Sequence, residues 1–311
     1  ANNKDVIIIG HHGGISITYD YGVTTKNISL YGLNVSQYYD VRSYPPDPTR
    51  VFAGAQDQGL QRGLIVDEAV ADFYQNISGD YGHIEFTSGG EHMWTMYPGG
   101  SLSFYINPLS QNNPNAGYEI NSKRESVWIP PIAVNPHETE DIIYVAGGSS
   151  DPNNTGSHII KVRYNNGIEV EDLPFDFSVS GGEISAIAIS PLDENIWYVA
   201  TTNGSFYKST DGGFNFQLKQ KMTSEAHYLY GSCILPSKTD KDVVYLSGSG
   251  YGSIAPVYIS KNGGESFQAM RNGMPSTVAF QIAANETEDI IYAATETGPY
   301  VYLKDEDKWF P

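Results

Sequence analysis

Cysteine is almost missing from this 311-residue chain: Cys233 stands alone, so no disulfide can close within it. Its surroundings, GSCILP, are apolar, which suits a core thiol better than a nucleophile. Basic residues are also scarce, with 18 Lys and Arg against 36 Asp and Glu and a net charge of −18. A surface of that sign repels phosphate backbones and anionic lipid headgroups, so neither nucleic acid nor a membrane surface is an expected partner. No apolar run approaches the ~18 residues that a membrane-spanning helix needs. Helical periodicity is nearly lacking as well. The longest candidate, Ile65 to Tyr74, reads as a surface turn or a short helix. There is neither an initiator Met nor a signal peptide, and ANNKDVIII opens almost directly on a strand. The expectation is a processed or trimmed piece of a longer parent polypeptide.

What is plentiful is Gly (32), Tyr (23) and Pro (17), the composition of a turn-rich β protein. One pattern recurs along the chain: a Pro- or acid-rich turn, β-branched residues, an aromatic, then small residues. It reads PPDPTRVFAG at 45–54, NPHETEDIIYVAG at 135–147, SPLDENIWYVA at 190–200, LPSKTDKDVVYLS at 235–247 and NETEDIIYAA at 285–294. With two weaker copies, the marker positions are Ile8, Phe52, Trp94, Tyr144, Tyr198, Tyr245 and Tyr292, spaced 42 to 54 residues apart. Four short strands with their turns fill that length, as in a propeller blade. The expected fold is all-β: a single seven-bladed β-propeller over 1–311. Its repeats fall near 1–34, 35–78, 79–126, 127–180, 181–225, 226–275 and 276–311. The first repeat begins at its second strand and so lacks an inner one.

A second motif punctuates the repeats. KSTDGGFNF has the form Ser-x-Asp-x-Gly-x-x-aromatic, with Ser209, Asp211, Gly213 and Phe216 in the key places. SKNGGESF repeats it with Ser260, Asn262, Gly264 and Phe267, and TYDYGVTT carries Thr18, Asp20 and Gly22 without the aromatic. The chemistry is that of a hairpin turn. Asp or Asn bonds backbone N–H groups, Gly takes positive φ, the hydroxyl caps the loop and the aromatic plugs the sheet.

This turn resembles the Asp-box, or bacterial neuraminidase repeat. Together with the strand pattern it is similar to the sortilin-type (Vps10-like) and xyloglucanase-like propellers. GAQDQGLQRG (54–63) and NISGDYGHIEF (76–86) resemble elements of large exported Bacteroidetes proteins of that superfamily. The resemblance implies a propeller fold and an extracellular or cell-surface location. It leaves function open, because such propellers include hydrolases, receptors and assembly factors.

Candidate chemistry gathers in His11, His12, Gln56, Asp57, Gln58, Arg62, Asp80, Tyr81 and His83. GHHGG (10–14) and AGAQDQG (53–59) fall at the same place in consecutive repeats, so their polar residues should share one face. Two roles are open to Asp57 and Asp80. They form the carboxylate pair of a glycoside hydrolase, or they pin tight turns beside glycines. His11 and His12 are adjacent and would face opposite sides of a strand, which argues against one shared metal. A structural calcium could find oxygens in the 151–156 or SGDYG loops, and no other cofactor is implied. Six arginines are present, and none sits in an Arg-Ile-Pro motif of the sialidase kind. Arg42 and Arg50 flank a turn and read as surface residues. Tyr38, Tyr39, Tyr81, Trp94, Tyr97, Tyr105, Trp128 and Tyr251 offer ring faces for a glycan or peptide, with Trp94 and Trp197 placed in the core by the repeat. The expected role is a binding or scaffold module for a glycan or protein ligand. A glycoside hydrolase domain and a structural part of a surface or secretion assembly are the alternatives.

Overall fold

The structure, a computed structural model, describes residues 5–11, 14–28, 36–66, 71–123, 126–222, 232–252 and 254–311. His12 and residues 67–70 of the helix candidate lie outside the described residues. Those described form seven antiparallel sheets, six of four strands and one of three, each a simple meander in chain order. This is an all-β, seven-bladed β-propeller. Two short 3-10 turns, Ser88–Gly90 and Phe177–Ser180, are the helical elements among the described residues, and none is long or apolar enough to cross a membrane.

Blades are numbered here in chain order. Blade 1 holds the three strands Ile7–His11, Gly14–Thr18 and Lys26–Asn27. Blades 2 to 7 start from the inner strands Tyr38–Tyr44, Ile84–Thr87, Ile132–Ala133, Ile184–Ile189, Cys233–Pro236 and Ala279–Ala284. The inner strand of each complete blade runs from an upper to a lower end of the propeller. Links from second to third strand and from one blade to the next therefore lie at the upper end. Links from first to second and from third to fourth strand lie at the lower end.

All seven marker residues fall on second strands. From Phe52 to Tyr245 they are buried, and each enters the core between its own blade and the following one. Phe52 packs with Met93 and Tyr105, Trp94 with Ile143 and Ile160, and Tyr144 with Trp197 at a ring separation of 4.5 Å. Tyr198 packs with Leu246, and Tyr245 with Ala279 and Ile291. A strand sends alternate side chains to its two faces, so an aromatic at one fixed register always meets the same neighbour. Blade 1 adds no described side chain to these cores. The ring is instead tied near the axis, where Gln281 of blade 7 donates to Asp40 of blade 2 at 3.0 Å.

At the lower end, the Ser-x-Asp-x-Gly turn has one hydrogen-bond scheme in three blades. In blade 5, the Ser209 hydroxyl donates to Asp211 (2.8 Å) and accepts from the Gly213 N–H (3.0 Å), while Asp211 accepts from the Asn215 N–H (2.9 Å). Ser260, Asn262, Gly264 and Ser266 repeat this in blade 6, as do Thr18, Asp20, Gly22 and Thr24 in blade 1. The Asn215 side chain, its backbone N–H and Ser209 together hold the Asp211 carboxyl below its ordinary pKa. Thr24 and Thr18 bring Asp20 down to about 2. Phe216 is buried among Phe175 and Phe177, and Phe267 meets Phe206 edge-on at 4.9 Å.

Candidate functional site

The upper end of blade 2 is built on close backbone approach. The link between its second and third strands is Gln56–Gln58, with Asp57 in the left-handed region at φ 58°. Segment 77–82 runs tight against it. A Cβ on Gly59 would stand 1.8 Å from the Ile77 carbonyl oxygen, and one on Gly54 2.3 Å from that of Tyr81. No other residue leaves room for this approach, which explains both glycines. Asp80 closes the junction by accepting the Asp57 N–H at 2.6 Å. Gln58 binds the segments around it, accepting from Ser36 and, through its carbonyl, from Gln75. Asp57 and Asp80 do come together, and one oxygen of Asp80 serves the turn.

Beside this junction lie two aromatic rings. Tyr39, next to the start of the blade 2 inner strand, meets Trp128, which precedes the inner strand of blade 4. The rings are edge-to-face at 5.4 Å. The Trp128 carbonyl accepts the Gly99 N–H of blade 3 at 2.8 Å, so the upper ends of three blades converge. Trp128 is 55% exposed. The Tyr39 phenol is pushed up to about 12 by partial burial and by the negative charges of Asp80 and Asp57. Its hydroxyl is a hydrogen-bond donor within electrostatic reach of both carboxyl groups. An exposed indole face, a phenol donor and carboxylate acceptors are the groups that recognise a polyhydroxylated ring. Tyr81 does not join them at the surface. It is 7% exposed and packs edge-on against Tyr97 at 5.5 Å.

Below this patch the propeller axis holds a polar cluster. Asp40 is fully buried and accepts from Arg42, the Ile84 N–H and Gln281 at 3.0–3.1 Å. Arg42 also pairs with Glu85 at 2.9 Å. The reading of Arg42 as a surface residue is corrected: it spans two inner strands at the axis, whereas Arg50 is exposed and pairs with Asp47. Burial opposes the Arg42 charge, but Glu85 and Asp40 outweigh it and raise its pKa. Burial lowers the pKa of His83, partly offset by Asp40, whose carboxylate lies 3.9 Å away. Burial raises that of Glu85 against the pull of Arg42. The available signal was period 2 at Asp40-x-Arg42, which puts two charges on one face of the inner strand Tyr38–Tyr44.

The remaining candidates sit apart. His11 bonds Ser16 within blade 1 at 3.0 Å. Arg62 donates to the Leu109 carbonyl of blade 3. Cys233 lies near the axis with its thiol raised by burial. In the 151–156 loop, Asp151 and Asn154 accept the N–H groups of Asn153 and Gly156. Among the described residues no three acidic, His or Cys side chains gather as metal ligands.

The fold and the upper-end site define a β-propeller with a converging loop face. No protein-family model and no curated protein sequence matches the chain. Solved structures do. The Cps50 (Swd1) β-propeller domain from Myceliophteria thermophila aligns at a TM-score of 0.61 with 9% identity, over 89% of this chain and 86% of that one. The GH74 enzyme of Niastella koreensis aligns at 0.56 with 16% identity, over 73% of this chain, and the GH74 xyloglucanase of Xanthomonas campestris at 0.52 with 13% identity over the same share. The chain spans 36% of the length of each GH74 enzyme. At these identities the likeness concerns the fold alone.

Proposed function

We propose that the chain is an exported or cell-surface propeller of the Asp-box kind, acting as a recognition module for a glycan bound at its upper end. The observation that carries this reading is Trp128, exposed against Tyr39 and beside Asp57 and Asp80. Trp128 belongs to no repeated position, so the propeller's packing does not call for an exposed indole there. The three Ser-x-Asp-x-Gly turns and the resemblance to exported propellers support the location.

A second reading is a glycoside hydrolase, favoured by the neighbouring carboxylates of Asp57 and Asp80 and by the GH74 neighbours. The bond from the Asp57 N–H to Asp80 weighs against it, because it gives Asp80 a structural task. The two separate in one experiment: a glycan array and titration with xyloglucan oligosaccharides, read for both binding and new reducing ends. Saturable binding without release, lost in Trp128→Ala, is expected. Release that disappears in Asp80→Asn, which keeps an oxygen acceptor for the turn, would establish the enzyme. No glycan binding at all would favour a protein ligand, sought by pull-down from the native surface.

A further inference from the structure

The upper-end site has a sign as well as a shape. The rings of Tyr39 and Trp128 stand at 78° to each other and form a corner. Tyr97 backs the neighbouring turn: a Cβ on Gly79, next to Asp80, would lie 3.1 Å from its ring. Asp57 and Asp80 lie within electrostatic reach of Tyr39. After partial burial, it is their charges that oppose ionisation of its phenol, and no described cation offsets them there. Cations from the same strands and links are directed elsewhere. Arg62 donates to the Leu109 carbonyl, Arg42 is held by Asp40 and Glu85, and His83 lies near Asp40 at the axis. Asp80 uses Oδ1 for the Asp57 N–H, and its Oδ2 has no partner among the described residues.

These groups discriminate among sugars by charge. Aromatic faces attract cations through their quadrupole, and perpendicular rings beside carboxylates are a setting that binds ammonium groups. A sugar stacked on Trp128 also takes water away from Asp80. Under a neutral ring the carboxylate loses hydration without gaining a counter-charge, which costs free energy. An ammonium on the sugar supplies that counter-charge, whereas a uronic acid would add a third negative charge and be repelled.

We infer that the upper end selects a glycan of amino sugars with free ammonium groups, its ring on Trp128 and its ammonium against Tyr39 and Asp80. This rests on the reading of the upper end as a glycan site. The test is calorimetric titration with the glucosamine trimer of chitosan, at a pH where its amines are protonated. The N-acetylated trimer and cellotriose are the uncharged controls, and trilysine is the basic peptide control. The glucosamine trimer should bind at least about tenfold more tightly than any control and weaken as salt rises. Asp80→Asn keeps an acceptor for the turn, and Asp57→Asn suits the positive φ there, so each removes charge with little change of shape. In whichever variant keeps the parent melting temperature, binding of the glucosamine trimer should fall roughly tenfold while cellotriose binding is unchanged. If cellotriose or the acetylated trimer binds as tightly and depends on Trp128, the inference is overturned and the glycan reading stands. If no oligosaccharide binds, both are overturned. Equal binding of trilysine, or undiminished binding in both folded Asn variants, overturns the inference alone.

Discussion

Two kinds of blade interface share one sequence pattern. At the five interfaces from blade 2 to blade 7, the marker residue is buried against the next blade, with Phe52 and Trp94 at 0% exposure. At the interfaces flanking blade 1, the same position is open: Tyr292 of blade 7 is 46% exposed and Ile8 of blade 1 is 65% exposed. The repeat puts an apolar residue there in every blade, but a neighbouring sheet must be present to use it. Blade 1 has three strands among the described residues and no inner one, so its second strand is exposed along its whole length. Its lower turn nonetheless has the same hydrogen bonds as those of blades 5 and 6. Turn geometry is local chemistry and survives without packing; burial is not.

The largest effect should come from emptying a packed interface. Trp94→Ala removes a fully buried indole and its bond to Thr87, at a cost of about 3–5 kcal/mol by urea unfolding. A loss below 1 kcal/mol would mean that the interfaces of blades 3 and 4 are no tighter than those of blade 1. Next, Gly264→Ala tests how a lower turn bears on an interface. Its φ is +91°, and an added Cβ would stand 2.5 Å from the Phe206 ring, so about 2–3 kcal/mol should be lost.

The axial cluster that links blades 7 and 2 gives a pH dependence. His83 has a lowered folded pKa, so its contribution is present above the ordinary value of 6.5 and is lost as pH falls below it. Unfolding free energy should decline from pH 6.5 downward, and His83→Gln should flatten that slope. An unchanged slope would exclude His83 as its source. The smallest effect is expected at the open interface. Ile8→Ala should change stability by less than about 0.5 kcal/mol, as for other exposed sites. A cost comparable to that of Trp94→Ala would show that Ile8 is packed in solution.

Most of the architecture was legible because it is repetitive. The markers from Ile8 to Tyr292 and the turns at Ser209 and Ser260 recur at fixed places, so periodicity revealed both the second strands and the hairpins. The axial cluster was not read, because Asp40, Arg42 and Glu85 look like ordinary surface charges until two inner strands are brought side by side. The site was legible in part. The glycines and acids of GAQDQG and SGDYG stand out in the sequence, and Gly54, Gly59 and Asp80 act locally where the two segments meet. The pairing of Tyr39 with Trp128 joins residues from blades 2 and 4, and no local pattern encodes such a contact. Arg62 was grouped with the junction by proximity in sequence, yet its strand directs it to Leu109.

The same contrast separates architecture from recognition. Tyr292 and Ile8 are exposed at repeated positions, whereas Trp128 is exposed at a position outside the repeat. The most direct test is calorimetric titration of the glycan ranked first on the array into the parent protein and Trp128→Ala, with melting temperatures measured in parallel. The account predicts at least about a tenfold weaker Kd, equivalent to ~1.4 kcal/mol, at an unchanged melting temperature. Unchanged affinity in a folded Trp128→Ala protein would contradict it.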